Sequence, residues 1–333
     1  MTAPLRPMNL GEILDRTFQI YRARFFAFIV VAAIPVLAME MIQAVDSTWL
    51  HMYSLVHPFR QPGIFLWRFA VGLAYFHVSG IFGILVEPAF VKLTSRSILG
   101  GKSSIVSSLQ FAATRWRSYL WIASLKMSAI LVAPELVATG VALGAGVIVN
   151  AAGGFDGETR WPALLIVALW ALVGGGLFLW SGACMSLAIP GAALEDLAGL
   201  ASLRRSWNLS KGARSRIWFT WLAINLSLWV LTYALEFLLG QSMYFVGNAL
   251  HIAYAMKHLY APAVYVLATA IYFVLGPIYP IAVTLIYYDQ RIRHEGFDIE
   301  RMMESAGMNA PAISTGNEEP IATANATDEE AHS

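Results

Sequence analysis

The chain has 333 residues, 58% of them hydrophobic and 13% charged, with a mean hydropathy of +0.60 and a formal charge of +1. Soluble domains carry roughly 25% charged and about 45–50% apolar residues, so this composition lacks the charge needed to cover a water-facing surface. It argues against a soluble enzyme, a disordered chain or a basic nucleic-acid binder, and leaves a polytopic membrane protein.

Taken in chain order, the first feature is Asn9-Leu10-Gly11-Glu12, which has the spacing of a helix-starting capping box with Asn in the usual Ser/Thr place. Leu10, Ile13, Leu14, Thr17, Phe18 and Tyr21 then form a helical stripe, with Asp15, Arg16 and Arg22 largely off it. A basic amphipathic helix leading straight into an apolar run is expected to lie along a membrane interface. Residues 1–24 therefore read as an interfacial helix, and a first span follows at Phe25–Gln43. The Val36-Leu37-Ala38 sequence resembles a signal cleavage site, but the 24 residues before the apolar run read as structured helix, so the span is read as an anchor.

Five further apolar runs of about 20 residues or more follow, at Phe69–Val91, Tyr119–Val149, Pro162–Ile189, Ile217–Leu239 and Ala261–Tyr288. Lys and Arg divide unevenly between the two sides of such a six-span chain. Seventeen fall in the N-terminal segment, the second and fourth connections and the C-terminal flank. Four (Arg60, Arg68, Arg160, Lys257) fall on the other side, and Lys126 sits within a span. By the positive-inside rule both termini are cytoplasmic, as in a protein of the bacterial inner membrane. From Met302 onward there are six acids and no Lys or Arg, so the first 301 residues, with all 22 basic residues and 15 acids, carry +7. Residues 301–333 read as a disordered acidic tail.

The opening pattern returns. Ser108-Leu109-Gln110-Phe111-Ala112-Ala113 with Trp116-Arg117 precedes the third span, and Ser202-Leu203-Arg204-Arg205-Ser206-Trp207 with Arg214-Ser215-Arg216 precedes the fifth. Leu14, Leu109 and Leu203 are 95 and 94 residues apart, and each even span carries a proline toward its cytoplasmic end: Pro88, Pro190 and Pro280. The expectation is an all-α membrane protein of three tandem units, each an interfacial helix plus a hairpin, arranged about a pseudo-threefold axis. Such same-way repeats differ from the inverted repeats of many secondary transporters.

Three segments carry a resemblance. Residues from Arg6-Pro7-Met8-Asn9-Leu10-Gly11-Glu12 to Thr17-Phe18, and the Leu203–Trp207 segment with Lys211-Gly212 behind it, resemble bacterial proteins of the glycerophosphoryl diester phosphodiesterase membrane-domain family. So does the close of the sixth span, Tyr287-Tyr288-Asp289-Gln290-Arg291-Ile292-Arg293-His294-Glu295-Gly296-Phe297-Asp298, in which Asp289, Arg291, Gly296 and Asp298 stand as motif residues. The resemblance implies a membrane part without its hydrolase. That hydrolase is a separate barrel, a fold needing about 250 residues, and its His-Arg-Gly opening is missing here. The resemblance therefore implies no activity.

Ionisable residues inside spans are costly and stand as functional candidates: His77, Glu87, Lys126, Glu135 and Glu236, with Glu40 near an outer end. Glu87 and Lys126 lie roughly 10 Å or less from the cytoplasmic ends of their spans, and His77 and Glu135 roughly 22–24 Å. Depth allows both pairs. Rotation opposes having both, since nine residues separate Lys126 from Glu135, about half a turn out of phase, unless Pro134 re-phases the helix. These groups read either as a polar pathway or as a structural ion pair with a protonated carboxylic acid. Gly140 and Gly144, and the run Gly174–Gly176, read as close helix packing.

Other motifs fail. Gly100-Gly101-Lys102-Ser103 lacks the first glycine of a phosphate loop, where Arg96 stands, and no strand precedes it. His51, His57, His251 and His258 lack an accompanying carboxylate set for a metal. Asn208 and Asn325 match a glycosylation pattern only formally, being cytoplasmic. Cys184 is the only cysteine, so no intrachain disulfide exists. Arg22, Arg24, Arg115, Arg117, Arg204, Arg205, Lys211, Arg214 and Arg216 are expected to face lipid head groups, each near-surface cation contributing about 1 kcal/mol. The sequence thus points to a non-enzymatic, lipid-associated scaffold or accessory component of the bacterial envelope, without cofactor or metal. Membrane lipids are its expected partners, and a protein partner or a second copy is left open. The competing reading is a transporter or channel for a small polar or lipid-like solute that uses the intramembrane groups.

Overall fold

The computed structural model describes residues 6–38, 40, 62–101, 104–153 and 161–305. The outer part of the first expected span, His51, His57, Arg60, Lys102, Ser103, Arg160, Asn325 and the tail beyond Ser305 lie outside the described residues. Among those described there is helix and turn and no strand. The first elements are α1 (Leu10–Ala23), α2 (Phe25–Ala38), α3 (Pro62–Ile98) and α4 (Ile105–Thr114). After α5 (Trp116–Met127) come a π-helical segment, Ser128–Val132, and α6 (Ala133–Ala151). The rest is α7 (Trp161–Met185), α8 (Ala188–Leu194), α9 (Gly199–Leu209), α10 (Arg214–Ala249), α11 (Ala253–Leu275), α12 (Ile278–Glu295) and α13 (Phe297–Ser305).

Four continuous or nearly continuous helical stretches are long and apolar enough to cross a membrane: Trp116–Ala151, Trp161–Leu194, Arg214–Ala249 and His258–Glu295. A fifth is added if α1 and α2, which meet at 93°, count as one broken span. At 1.5 Å per residue, the 36-residue α10 is about 54 Å long against a hydrocarbon core of about 30 Å. It runs three residues earlier and ten later than the apolar run alone suggests. The helix continues because Gln241, Ser242 and Asn248 are tolerated in helix even though they end the hydrophobic pattern. Likewise α13 carries helix to Ser305, past the residue-300 boundary expected for the end of the folded part.

Burial is concentrated where helix ends converge. The C-terminal part of α3, the short α8 and α12 touch one another and form the centre. Residues 281–290 of α12 are buried without a break, as expected of a helix enclosed on every side. Around this centre lie three further short helices: α1 packs on α12, α4 on α3 and α9 on α8. Away from it, α6 pairs with α7 and α10 with α11. Their outward side chains (Leu143, Val147, Leu165, Leu172, Trp229, Val230, Phe237) are exposed apolar groups suited to lipid.

Breaks at defined points let the chain turn into this centre. Asn9 caps α1 in a complete capping box, its Oδ1 accepting from Glu12 N at 2.9 Å while the Glu12 carboxylate accepts from Asn9 N at 2.8 Å. The α7–α8 break at 186–187 is bridged by Ser206 of α9, whose hydroxyl donates to the Cys184 carbonyl (2.7 Å) and accepts from Leu187 N (3.1 Å). Ser202, one turn earlier, donates to the Ala188 carbonyl. Two hydroxyls thus take up backbone groups that a broken helix leaves unpaired.

Candidate functional site

Two polar regions lie at different depths. The deeper one joins Lys126 of α5 to Glu87 of α3, Nζ to Oε2 at 3.3 Å, with both side chains about nine-tenths buried. Lys126 also lines a cavity of about 170 Å³ with Ile130, Gly182, Trp218, Trp221 and Tyr279 among its walls. The π-helical turn at Ser128–Val132 falls between Lys126 and Glu135 and shifts the helix phase there, which spacing alone could not supply. Glu135 lies beside Gly174 of α7, where an added Cβ would stand 3.9 Å from Oε1 and 3.1 Å from the Ala138 methyl. The close crossing anticipated at that glycine run is therefore made by Gly174 against α6.

The remaining intramembrane candidates do not form one constellation. Glu135 Oε2 and His77 Nδ1 are each buried without a hydrogen-bond partner. Glu40 accepts from the Thr269 hydroxyl at 2.8 Å, leaving its second oxygen buried and unpartnered. Glu236 is half-buried on α10.

The second region is at the charged end, beyond the apolar part of the last span. Asp289, fully buried, accepts from Met8 N (2.7 Å), Arg216 Nη1 (2.6 Å) and Arg293 Nε (2.9 Å). Arg293 Nη2 also donates to the Met8 carbonyl at 2.8 Å. One carboxylate thus ties the N-terminal segment, the start of α10 and the end of α12 together. Burial by itself would raise the Asp289 pKa, but the donors on Arg293, Met8 and Arg216 outweigh it and hold the carboxyl below its ordinary 3.8.

Beside it, Arg205 of α9 grips Glu195 in a bidentate pair (2.8 and 2.7 Å) and also meets Glu295. Arg291 closes the network on Glu295 at 3.1 Å and Glu195 at 3.5 Å, stacking 4.2 Å from the Phe297 ring, and the Tyr287 hydroxyl donates to Glu195. Hydrogen bonding to Glu295 leads the causes that raise the Arg205 pKa, and burial opposes it. Of the motif residues, Asp289 and Arg291 are members of these networks. Gly296 supplies the left-handed turn (φ +64°) that ends α12, and Asp298 lies in the first turn of α13, where an acid suits the helix dipole. Each has a structural task.

The nine cations expected at head groups separate accordingly. Arg205 and Arg216 are bound to the carboxylates just described, Arg115 meets Asp196, and Arg24 donates to the Gly101 carbonyl at 2.9 Å. Arg22, Arg117, Arg204 and Lys211 are exposed, Arg117 beside the Trp116 ring and Lys211 on Asn208. Arg214 is set against two tryptophans, 4.9 Å from Trp207 and 5.7 Å from Trp180. Sequence reasoning missed Glu195, Tyr287, Ser202 and Ser206. The serines had a signal, two hydroxyls four apart on a helix whose other inward positions are apolar.

Among the described residues, no group of three or more His, Cys, Asp or Glu side chains is arranged to hold a metal ion. No family model, curated protein or solved structure matches the chain.

Proposed function

We propose that this chain is a six-span protein of the bacterial inner membrane, with both termini cytoplasmic, built as three tandem units and acting without catalysis as a lipid-associated scaffold. The observation that carries this reading is the common phase of α1, α4 and α9. Counting from Leu14, Leu109 and Leu203, the preceding residue (Ile13, Ser108, Ser202) and the residue three on (Thr17, Ala112, Ser206) are buried in all three helices. The residues one and five on (Asp15, Gln110 and Arg204; Gln19, Thr114 and Asn208) are exposed in all three. Each helix packs on the second helix of the unit before it, and α1 of the first unit packs on α12 of the last. That cyclic order fits a closed pseudo-threefold ring, which also explains why Met8 is tied to Asp289 281 residues away.

The 93° turn between α1 and α2 fits a helix lying flat on the membrane beside one that crosses it. Exposed Phe18 with Arg22, and exposed Leu200 with Arg204, each put an apolar group and a cation one turn apart on the outward side. This arrangement suits acyl chains below and phosphates beside it. The reading also groups the chain with the membrane-domain proteins that its three motif segments resemble.

The test is native mass spectrometry of protein released from nanodiscs of mixed phosphatidylglycerol and phosphatidylcholine. We expect enrichment of the anionic lipid, and its decline in an Arg22→Gln/Arg117→Gln/Arg204→Gln variant. Enrichment unchanged in that variant would overturn the reading. The transporter reading draws on the unpartnered oxygen of Glu135, and solute flux from proteoliposomes that vanishes in Glu135→Gln would replace the scaffold with it.

A further inference from the structure

The cytoplasmic end of the α7–α10 seam holds a cation that the protein leaves incompletely satisfied. Arg214 opens α10 after the turn at 210–213. Three of its four neighbours in the basic cluster are otherwise engaged, Arg216 on Asp289, Arg205 on Glu195 and Glu295, and Lys211 on Asn208, while Arg204 is exposed. Arg214 has aromatic rings instead, Trp207 at 4.9 Å and Trp180 at 5.7 Å, the two indoles themselves meeting edge-on at 5.0 Å. Its Nε is buried without a hydrogen-bond partner. That Nε is itself enclosed, so an anionic oxygen would meet the guanidinium at its other nitrogens, with which no carboxylate among the described residues forms an ion pair.

The same face of α10 continues from this cation into a mainly apolar cavity, the one whose lining also includes Lys126, itself paired with Glu87. Arg214, Trp218 and Trp221 are four and seven residues apart, so they share one helical face. Trp218 and Trp221 line the cavity of about 170 Å³, with Phe178, Leu179 and Gly182 of α7 opposite. At 1.5 Å per residue the two indoles lie roughly 6–10 Å beyond Arg214, the depth at which head groups give way to acyl chains and where Trp is enriched. The volume is below the 300 Å³ or so of a small-molecule pocket. It suits a length of acyl chain rather than a whole ligand.

We infer that Arg214 and this cavity form a site for one acidic phospholipid of the cytoplasmic leaflet. The phosphodiester accepts hydrogen bonds from Arg214 between the two tryptophans, and the first part of one chain enters the cavity between α7 and α10. The inference rests on the proposed orientation, which puts this end at the cytoplasmic surface, and it adds a discrete site to the diffuse attraction of the outward cations. Charge selects the head group. A zwitterionic lipid brings a choline or amine toward a guanidinium and gains less.

The experiment titrates the full-length protein in mild detergent with short-chain phosphatidylglycerol, phosphatidylcholine or glycerol phosphate, and counts bound molecules by native mass spectrometry. One phosphatidylglycerol should survive collisional activation that strips the rest. Its affinity should fall roughly tenfold or more in Arg214→Gln, the loss of one charge-assisted contact. It should also fall in Gly182→Leu, which fills the cavity from a position where an added Cβ meets nothing within 4 Å. Thermal unfolding of both variants without lipid shows whether they fold. If Arg214→Gln is unfolded, Gly182→Leu alone decides. Equal retention of the tight lipid in a folded Arg214→Gln or Gly182→Leu overturns the site, as does a tight lipid that is phosphatidylcholine. Glycerol phosphate bound as well as the lipid overturns the chain's part in it. The Arg22/Arg117/Arg204 triple variant distinguishes the two proposals, because it should lose the diffuse enrichment and keep the single tight lipid.

Discussion

Asp289 shows how one side chain at the edge of the apolar region organises distant parts of the chain. A carboxylate with 0% exposure is tolerated because two guanidinium groups and a backbone N–H surround it. Replacing it with Asn keeps the volume and removes the charge, leaving Arg216 and Arg293 less well paired. We expect Asp289→Asn to lower stability by about 3 kcal/mol, the low end for breaking a buried pair, since Arg293 stays 37% exposed at its side chain. The sign of the pH effect follows from the depressed pKa. The stabilisation is complete above the unfolded value and is lost as pH falls through the folded one. Thermal unfolding in detergent should show a gap between wild type and variant that is widest near neutral pH and closes as pH falls below about 4. A gap that persisted unchanged into acid would show that the charge is not what holds the three segments. Little of this was legible beforehand, because the charge partners of Asp289 lie 73 residues back and four on. By contrast, the depths of Glu87 and Lys126 follow from counting residues along spans, and the structure sets them 3.3 Å apart. His77 and Glu135 share a depth too, but helix rotation decides contact, and the π-helical turn that sets it has no counterpart in residue spacing.

At the level of elements, the start of the N-terminal helix could be read directly, because its Asn9/Glu12 cap is a local property. Of its expected stripe, Ile13, Thr17 and Tyr21 are buried while Phe18 is exposed. The division of the fourth apolar run into α7 and α8 has only a partial local signal, Pro190, which cannot donate to the Ser186 carbonyl four residues back. The turn is completed by a hydroxyl from α9, 19 residues on. Ser206 therefore makes a sharp test. Changing it to Ala leaves the Leu187 N–H and the Cys184 carbonyl without the partner that now serves both, and Ser206 itself is fully buried. Losing hydrogen bonds to buried backbone groups costs about 1–3 kcal/mol. Ser210→Ala is the control, since its hydroxyl bonds only to the Trp207 carbonyl three residues back in its own helix. We expect Ser206→Ala to lower the unfolding midpoint in detergent clearly and Ser210→Ala to change it little. Equal shifts would mean that the α7–α8 break is held by packing alone.

For the whole molecule, the short helices, the charged networks and the first described residues before α1 gather at one end of the bundle, while the outer hairpins offer apolar side chains to their surroundings. Without a hydrophobic drive between helices in lipid, that asymmetry is physically reasonable. Polar bonds at the charged end tie its helices together, and the outer helices pair with their neighbours, α6 with α7 and α10 with α11. Six crossings put the 44–60 connection outside. If α2 and α3 do not cross and only the four qualifying stretches span, that connection returns to the cytoplasm while the later loops keep their sides. Cysteine accessibility separates these cases, because the sole cysteine, Cys184, is buried and can be replaced by Ala. In that background, single cysteines at Ser47, Asn150 and Leu250 should react with an impermeant maleimide in intact cells. Ala198→Cys and Lys211→Cys, at exposed positions on the charged end, should react only after permeabilisation. Ser47 protected while Asn150 and Leu250 label would reduce the chain to four spans and open the ring, since the first unit would lack its hairpin. Labelling of Lys211→Cys in intact cells would invert the orientation, and the exposed arginines would then face the outer leaflet.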